Sequence, residues 1–293
     1  MKTALNANSN TKKNMSKDKI KISDIVMTLL LIVLSLFFLY PIFIVLINSF
    51  KGKLYISDKP FSLVTADTFV GIENYISGIA KTGFIKAFGY SLWITVASVI
   101  VIVFFCSMTA WYITRSKSKF CKVLYYLFAF SMIVPFQMVM FTMSKVVNVL
   151  HLDNPIGIII VYLGFGAGLS VFMLAGFVKA VPVDVEEAAT IDGCNTWQIY
   201  IKVVMPMLKP IMTTVAILNA MWIWNDYLLP YLLIGTDYKT IPIAIQYLRG
   251  GYGSIEMGAM MAMLVLAIIP IVVFYLCCQK HIIKGVAAGA VKG

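Results

Sequence analysis

The side chains able to do chemistry are few in this sequence, and they gather in two places. The first is 182–206, reading P-V-D-V-E-E-A-A-T-I-D-G-C-N-T-W-Q-I-Y-I-K-V-V-M-P, a polar interval between apolar runs that holds Asp184, Glu186, Glu187 and Asp192. Asp184 with Glu187 three residues on predicts a capping box that opens a short helix, and Gly193 closes it. Asn195 with Gln198 predicts a second cap, and Pro206 stops that helix while tolerating the start of another. The alanine pair Ala188 and Ala189 lets another surface approach the backbone closely, and the two glutamates bring charge to the helix start. This combination suits either a plug that enters a groove on a partner or a well-capped connector between two membrane spans.

The second place is Trp222-Ile-Trp224-Asn225-Asp226-Tyr227, inside an apolar run. A carboxylate at the centre of a bilayer costs about 2.5–3.5 kcal/mol on insertion scales, so Asp226 needs water, a partner or a position near the interface. Two readings are open: an aromatic belt with an interfacial acid, or a polar patch lining a translocation path, with indole and phenol rings stacking on a solute. Neither place is a catalytic constellation. His151 and His281 have no ligand spacing around them, and Cys106, Cys121, Cys194, Cys277 and Cys278 form no C-x-x-C pair. The cysteines read as small apolar residues, with no metal site and no disulfide framework. No G-x4-G-K-S/T segment is present, so the chain binds no ATP by that means and carries no cofactor of its own.

The elements that must hold these residues are membrane spans. Hydrophobic residues make up 60% of the chain and charged ones 13%, which is too apolar for a soluble domain. The net charge of +11 does not point to nucleic acid, because the basic residues lie in short segments between apolar runs; positive-inside orientation accounts for them. Six runs are long enough to span: 25–47, 87–114, 123–144 (with Pro135 in its middle), 156–178, 207–234 and 257–278. Gly164, Gly168 and Gly176 should thin one side of the fourth. Six spans place both termini in the cytoplasm, in agreement with the lysines of 1–23, the basic loop of Arg115, Lys117, Lys119 and Lys122, and the basic tail 280–293. The expected organisation is a disordered cytoplasmic tail 1–23, a six-span domain 24–279 carrying the loop 182–206, and a cytoplasmic tail 280–293.

Glu187-Ala188-Ala189, three residues, Gly193, nine residues and Val203-x-Met205-Pro206 resemble the E-A-A-x3-G-x9-I-x-L-P loop of ABC importer permeases with the MetI-like fold, Val203 and Met205 being mild departures. Asn48-Ser49-Phe50-Lys51, Glu73-Asn74-Tyr75, the Trp224-Asn225-Asp226 group and the closing 279–293 resemble the carbohydrate-uptake members. Tyr90, where relatives often have Asn, and Ala175, where many have Arg, depart from the pattern. The resemblance implies an all-α membrane protein of the type I importer class, a non-enzymatic permease subunit for sugars, most simply oligosaccharides. Other solutes of the same importer class (a glycerol phosphodiester, a polyamine, an amino acid) and an ion-coupled carrier are the alternatives. It further implies a second homologous permease, a dimer of ATP-binding subunits using ATP and magnesium, and an extracellular or periplasmic solute-binding protein. Glu186, Glu187, Ala188, Ala189, Asp192, Gly193 and Pro206 would dock the ATPase, and Trp222, Trp224, Asn225, Asp226 and Tyr227 are the candidate path.

Overall fold

The computed structural model describes residues 22–235, 237–249 and 256–290, with backbone alone at 249 and 281–290; the expected tail 1–23 lies almost wholly outside the described residues. The chain divides after Val45 into two units. The first holds most of α1 (Ile22–Asn48), a helix apolar on every face, as suits a helix surrounded by lipid. The second holds everything else. Among the described residues, five helices are long and apolar enough to cross a membrane, and a bent pair makes a possible sixth span.

The second unit opens on a small polar knot rather than a plain loop. Lys51 is fully buried and pairs across an isolated bridge with Phe69; its amine donates to the Lys59 carbonyl (3.1 Å) and the Ser62 hydroxyl (3.2 Å). Burial pushes this amine below the usual lysine range. Asn74 donates to the carbonyls of Ser49 and Lys51. Two short helices, α2 (Lys53–Asp58) and α3 (Glu73–Thr82), flank this knot, and α3 packs along α13 (Met257–Ala290).

The long helix α4 (Phe84–Arg115) and α7 (Gly157–Val178) form the most extensive helix pair. Ile94, Ile102, Cys106 and Ala110 of α4 interlock there with Ile158, Tyr162, Val171 and Leu174 of α7. The close approaches differ from the expected ones. A Cβ on Gly164 or Gly176 would meet open space, whereas one on Gly168 would press on Ser131 and Met132, and one on Gly166 on Ile102 and Asn219. Four-residue spacing found one of the two contacts; the other is set by α4 and α10 closing on α7 from the far side.

The expected third span is broken, not merely kinked. It consists of α5 (Lys119–Ser131) and α6 (Phe136–Val149), which meet at 109°. Pro135 stands at the break as the residue before α6, with extended backbone. It donates no hydrogen bond and disfavours helical backbone in the residue before it, so the chain turns there.

The fifth span also differs from expectation. It runs without interruption through Thr196–Asn225, as α9 (Thr196–Gln198), a π-helical turn (Ile199–Val204) and α10 (Met205–Asn225). Pro206 therefore does not stop a helix; it sits where the wide turn gives way to α-helix, which absorbs its ring and its missing N–H. The span ends at Asn225, so Asp226 lies at its end and not within it, and α11 (Leu228–Leu233) and α12 (Ile241–Gln246) follow. The last helix, α13, continues to Ala290 as helix where a tail was expected.

Candidate coupling loop and polar clusters

The loop forms two helices, as its sequence signals require, though one cap differs. The first, α8 (Val183–Ile191), starts after Pro182 with no side-chain cap, so the expected Asp184–Glu187 capping box does not form. Pro182 has already fixed the entry, which leaves Asp184 inside the first turn, where its charge still complements the helix dipole. At the other end Gly193 adopts φ +83°. Its N–H reaches the Thr190 carbonyl and that of Cys194 the Ala189 carbonyl, each at 3.0 Å, the paired bonds of a Schellman stop. The Asn195–Gln198 capping box is present with both bonds at 2.9 Å.

Helical periodicity sorts the motif residues onto two faces. Asp184, Glu187, Ala188 and Ile191 are exposed, Ile191 at 86%, together with Asp192, Gly193 and the neighbouring Trp197. Glu186 and Ala189 face inward. Glu186 was expected among the docking residues; instead its carboxylate is fully engaged by α4. It accepts from Trp111 Nε1 (2.9 Å), Arg115 Nε (2.9 Å) and Arg115 Nη2 (2.7 Å), and Nη2 also donates to the Val181 carbonyl (2.8 Å). Both charged side chains are largely buried, so the pair is forked, short and poorly hydrated.

The other arm of the loop is fastened to the same strip of α4. Tyr200, in the π-helical turn and 1% exposed, shares a 2.7 Å hydrogen bond with Ser107 and stacks on Trp111 at 5.5 Å between ring centres. Ser107, Trp111 and Arg115 recur every four residues and so form one stripe. A single face of α4 thus clasps both sides of 182–206, while Val178, Val181, Ala189, Ile199 and Val204 fill the space between. Sequence reasoning missed Ser107, Trp111 and Tyr200, and read Arg115 only as a charge of the basic loop. The available signal was a four-residue polar and aromatic recurrence closing an apolar run on an arginine.

The candidate path residues do not converge on one surface. The Asp226 carboxylate accepts from Tyr162 Oη (3.1 Å) and from the N–H of Leu228 (3.1 Å), which makes it the cap of α11. Trp222 meets Tyr162 edge to face at 5.5 Å, Tyr227 stacks on Tyr231, and Asn225 donates back to Met221. Trp224 is buried against Phe88. It lines a cavity of about 540 Å³ among α4, α10 and α13, whose walls include Leu92, Val96, Met221 and Phe274 and are almost wholly apolar. Tyr162 is the partner that the sequence did not disclose. No cluster of three or more His, Cys, Asp or Glu side chains able to hold a metal occurs among the described residues.

Comparison with known proteins gives this geometry a setting. Residues 102–288 match the family described as binding-protein-dependent transport system inner membrane component. The chain is 38% identical over 94% of its length, and 99% of the relative's, to a probable starch degradation products transport system permease protein, AmyC, of Thermoanaerobacterium thermosulfurigenes. It is 36% identical over 90% of its length, and 95% of the relative's, to the multiple sugar-binding transport system permease protein MsmG of Streptococcus mutans. Its fold is similar to a chain from the crystal structure of a bacterial ABC transporter involved in the import of the acidic polysaccharide alginate, with TM-score 0.73 at 23% identity over 89% of this chain and 98% of that one.

Proposed function

We propose that this chain, which belongs to the family of binding-protein-dependent transport system inner membrane components, carries sugars of the oligosaccharide class, driven by a separate ATPase that seats on the exposed face of α8. The chain is a multi-pass membrane permease subunit. The sugar class is supported by the names of its relatives, several of which are permeases for sugars or their oligomers. A second, homologous permease completes the path, an ATPase dimer using ATP and magnesium lies on the loop side, and a solute-binding protein docks at the opposite end. Both termini are in the cytoplasm, a reading supported by the basic residues of 1–23 and 279–284.

The single observation that carries the coupling role is the two-faced construction of α8. Its outer stripe of Asp184, Glu187, Ala188 and Ile191 is open to a partner, with Ile191 and Trp197 left as unpartnered apolar surface. Its inner stripe is locked by Glu186 to α4. A push received on the outer face is delivered to α4 through a forked ion pair, and the rigid movement of α4 against α7 and α10 opens the path on one side or the other. The test is uptake of labelled oligosaccharide by membranes carrying the complete transporter. A Glu187→Lys variant inserts normally but loses ATPase association and uptake; full uptake by that variant overturns the assignment.

A further inference from the structure

Beside the clasp a second cavity of about 500 Å³ opens among the ends of α4, α5 and α7. Lys117, Lys119, Lys122 and Lys179 surround it, no carboxylate lines it, and none of the four lysines has an ion pair among the described residues. The adjoining cavity, lined by Arg115, Glu186 and Glu187, carries its own counter-charge and shares Lys117; Lys119, Lys122 and Lys179 line only the acid-free one. From these observations we propose that the Lys117–Lys179 cavity holds the phosphodiester headgroup of an anionic membrane lipid.

Two independent features point to a phosphate group rather than to solvated charge alone. The amine of Lys179 lies 5.4 Å over the ring of Tyr125, a contact that draws it onto the wall of the cavity. The N-terminus of the 13-residue helix α5 opens at the site with Ser118 as its cap and no acid in its first turn, so its dipole adds positive potential.

The floor identifies the source of the phosphate. It is made of Ile113, Ala175, Tyr125 and Tyr126, and from it runs an exposed apolar stripe of α5, Val123, Tyr126, Leu127 and Phe130, with Phe172 of α7 alongside. A charged cup at the head of an exposed apolar stripe matches a headgroup with acyl chains beneath it, and basic pockets between helix ends at the cytoplasmic face are suited to such lipids. A soluble phosphate would use the cup and leave the stripe bare. The proposal rests on the membrane orientation of these helices and not on the cargo or on the ATPase seat.

The test is native mass spectrometry of the complete, delipidated transporter titrated in parallel with phosphatidylglycerol and phosphatidylcholine. The wild type retains at least one phosphatidylglycerol that phosphatidylcholine does not replace. Substituting all four lysines by glutamine weakens that retention about tenfold or more, since each basic residue near an anionic lipid is worth on the order of 1 kcal/mol, whereas four arginines preserve it. Because the glutamine variant removes topogenic charge, Lys122→Glu serves as a second variant: an acid in the first turn of α5 suits the helix yet places a carboxylate in the cup, and it lowers retention several-fold. Unchanged retention in both variants overturns the proposal. So does displacement of the lipid by millimolar inorganic phosphate, which would make this a free-anion site. Loss of the ATPase subunit with lipid retention intact would give the lysines to a protein partner instead.

Discussion

The loop 182–206 and the group 222–227 look alike in sequence, each bringing carboxylate and aromatic side chains together against apolar runs, yet the fold uses them in opposite ways. In the loop one acid is turned in and the next is turned out: Glu186 is consumed by Trp111 and Arg115, and Glu187 is left free for a partner. In the other group the acid is spent at home, Asp226 capping α11 and receiving the Tyr162 hydroxyl. The lesson is that a polar cluster between membrane spans is a candidate interface only in the part of it that the chain itself does not satisfy.

The largest effect that would break this contrast is at the clasp. Arg115→Glu sets two carboxylates against each other in a poorly hydrated site and should remove about 3–5 kcal/mol of local stability. Uptake should fall to background, and the exchanged pair Arg115→Glu with Glu186→Arg should recover a measurable part of it. No recovery in the exchanged pair would mean that the Trp111 and Val181 contacts, not the charge pairing, hold the loop. Next comes Gly193→Ala. With φ at +83°, a Cβ should cost about 1–2 kcal/mol; the loop should loosen, read as faster amide exchange from Ala188 to Cys194, while the spans keep their protection.

A smaller effect tests the other half of the contrast. Asp226→Asn keeps an oxygen for the Leu228 N–H and turns its amide N–H toward the Tyr162 hydroxyl, which can accept it, so uptake should stay within about twofold of wild type, whereas Asp226→Leu removes both bonds and should cost on the order of 1–3 kcal/mol in thermal unfolding. A collapse of uptake in Asp226→Asn at unchanged stability would show that the charge itself faces the solute. Smallest is Trp197→Ala. This side chain is more than half exposed, so the isolated subunit should be as stable as wild type and only its affinity for the ATPase should drop.

How far the sequence disclosed these differences depends on the range over which each is decided. Apolar length found the spans of α1, α4, α7 and α13, because a bilayer of fixed thickness imposes length directly. Local chemistry found the Gly193 stop and the Asn195–Gln198 cap, since both involve neighbours a few residues apart. Helix, glycine turn, helix was therefore legible in 182–206. Which of Glu186 and Glu187 turns inward was not, because Arg115 lies 71 residues earlier and only packing brings it there. Asp226 was taken into the fifth span for a similar reason: hydrophobicity runs on through Leu228–Leu233, and the interruption shows only once Tyr162 and the capped N–H groups are in place. Pro135 signalled a weak point but not an angle; the 109° turn depends on what α5 and α6 each pack against.

The length of the span Thr196–Asn225 has a consequence of its own. Thirty residues at about 1.5 Å each make a rod of about 45 Å, and α4, at 32 residues, is slightly longer, whereas the oily slab is about 30 Å thick. Held upright, each rod overhangs the slab by roughly a third of its length; tilting shortens the overhang. Tyr200 stacks on Trp111 close to one end of both rods, so in an upright pair the joint between loop and helix falls in the overhang, beyond the oily slab. The joint there keeps the Arg115–Glu186 pair largely out of water while lying within reach of the ions and headgroups at the membrane surface.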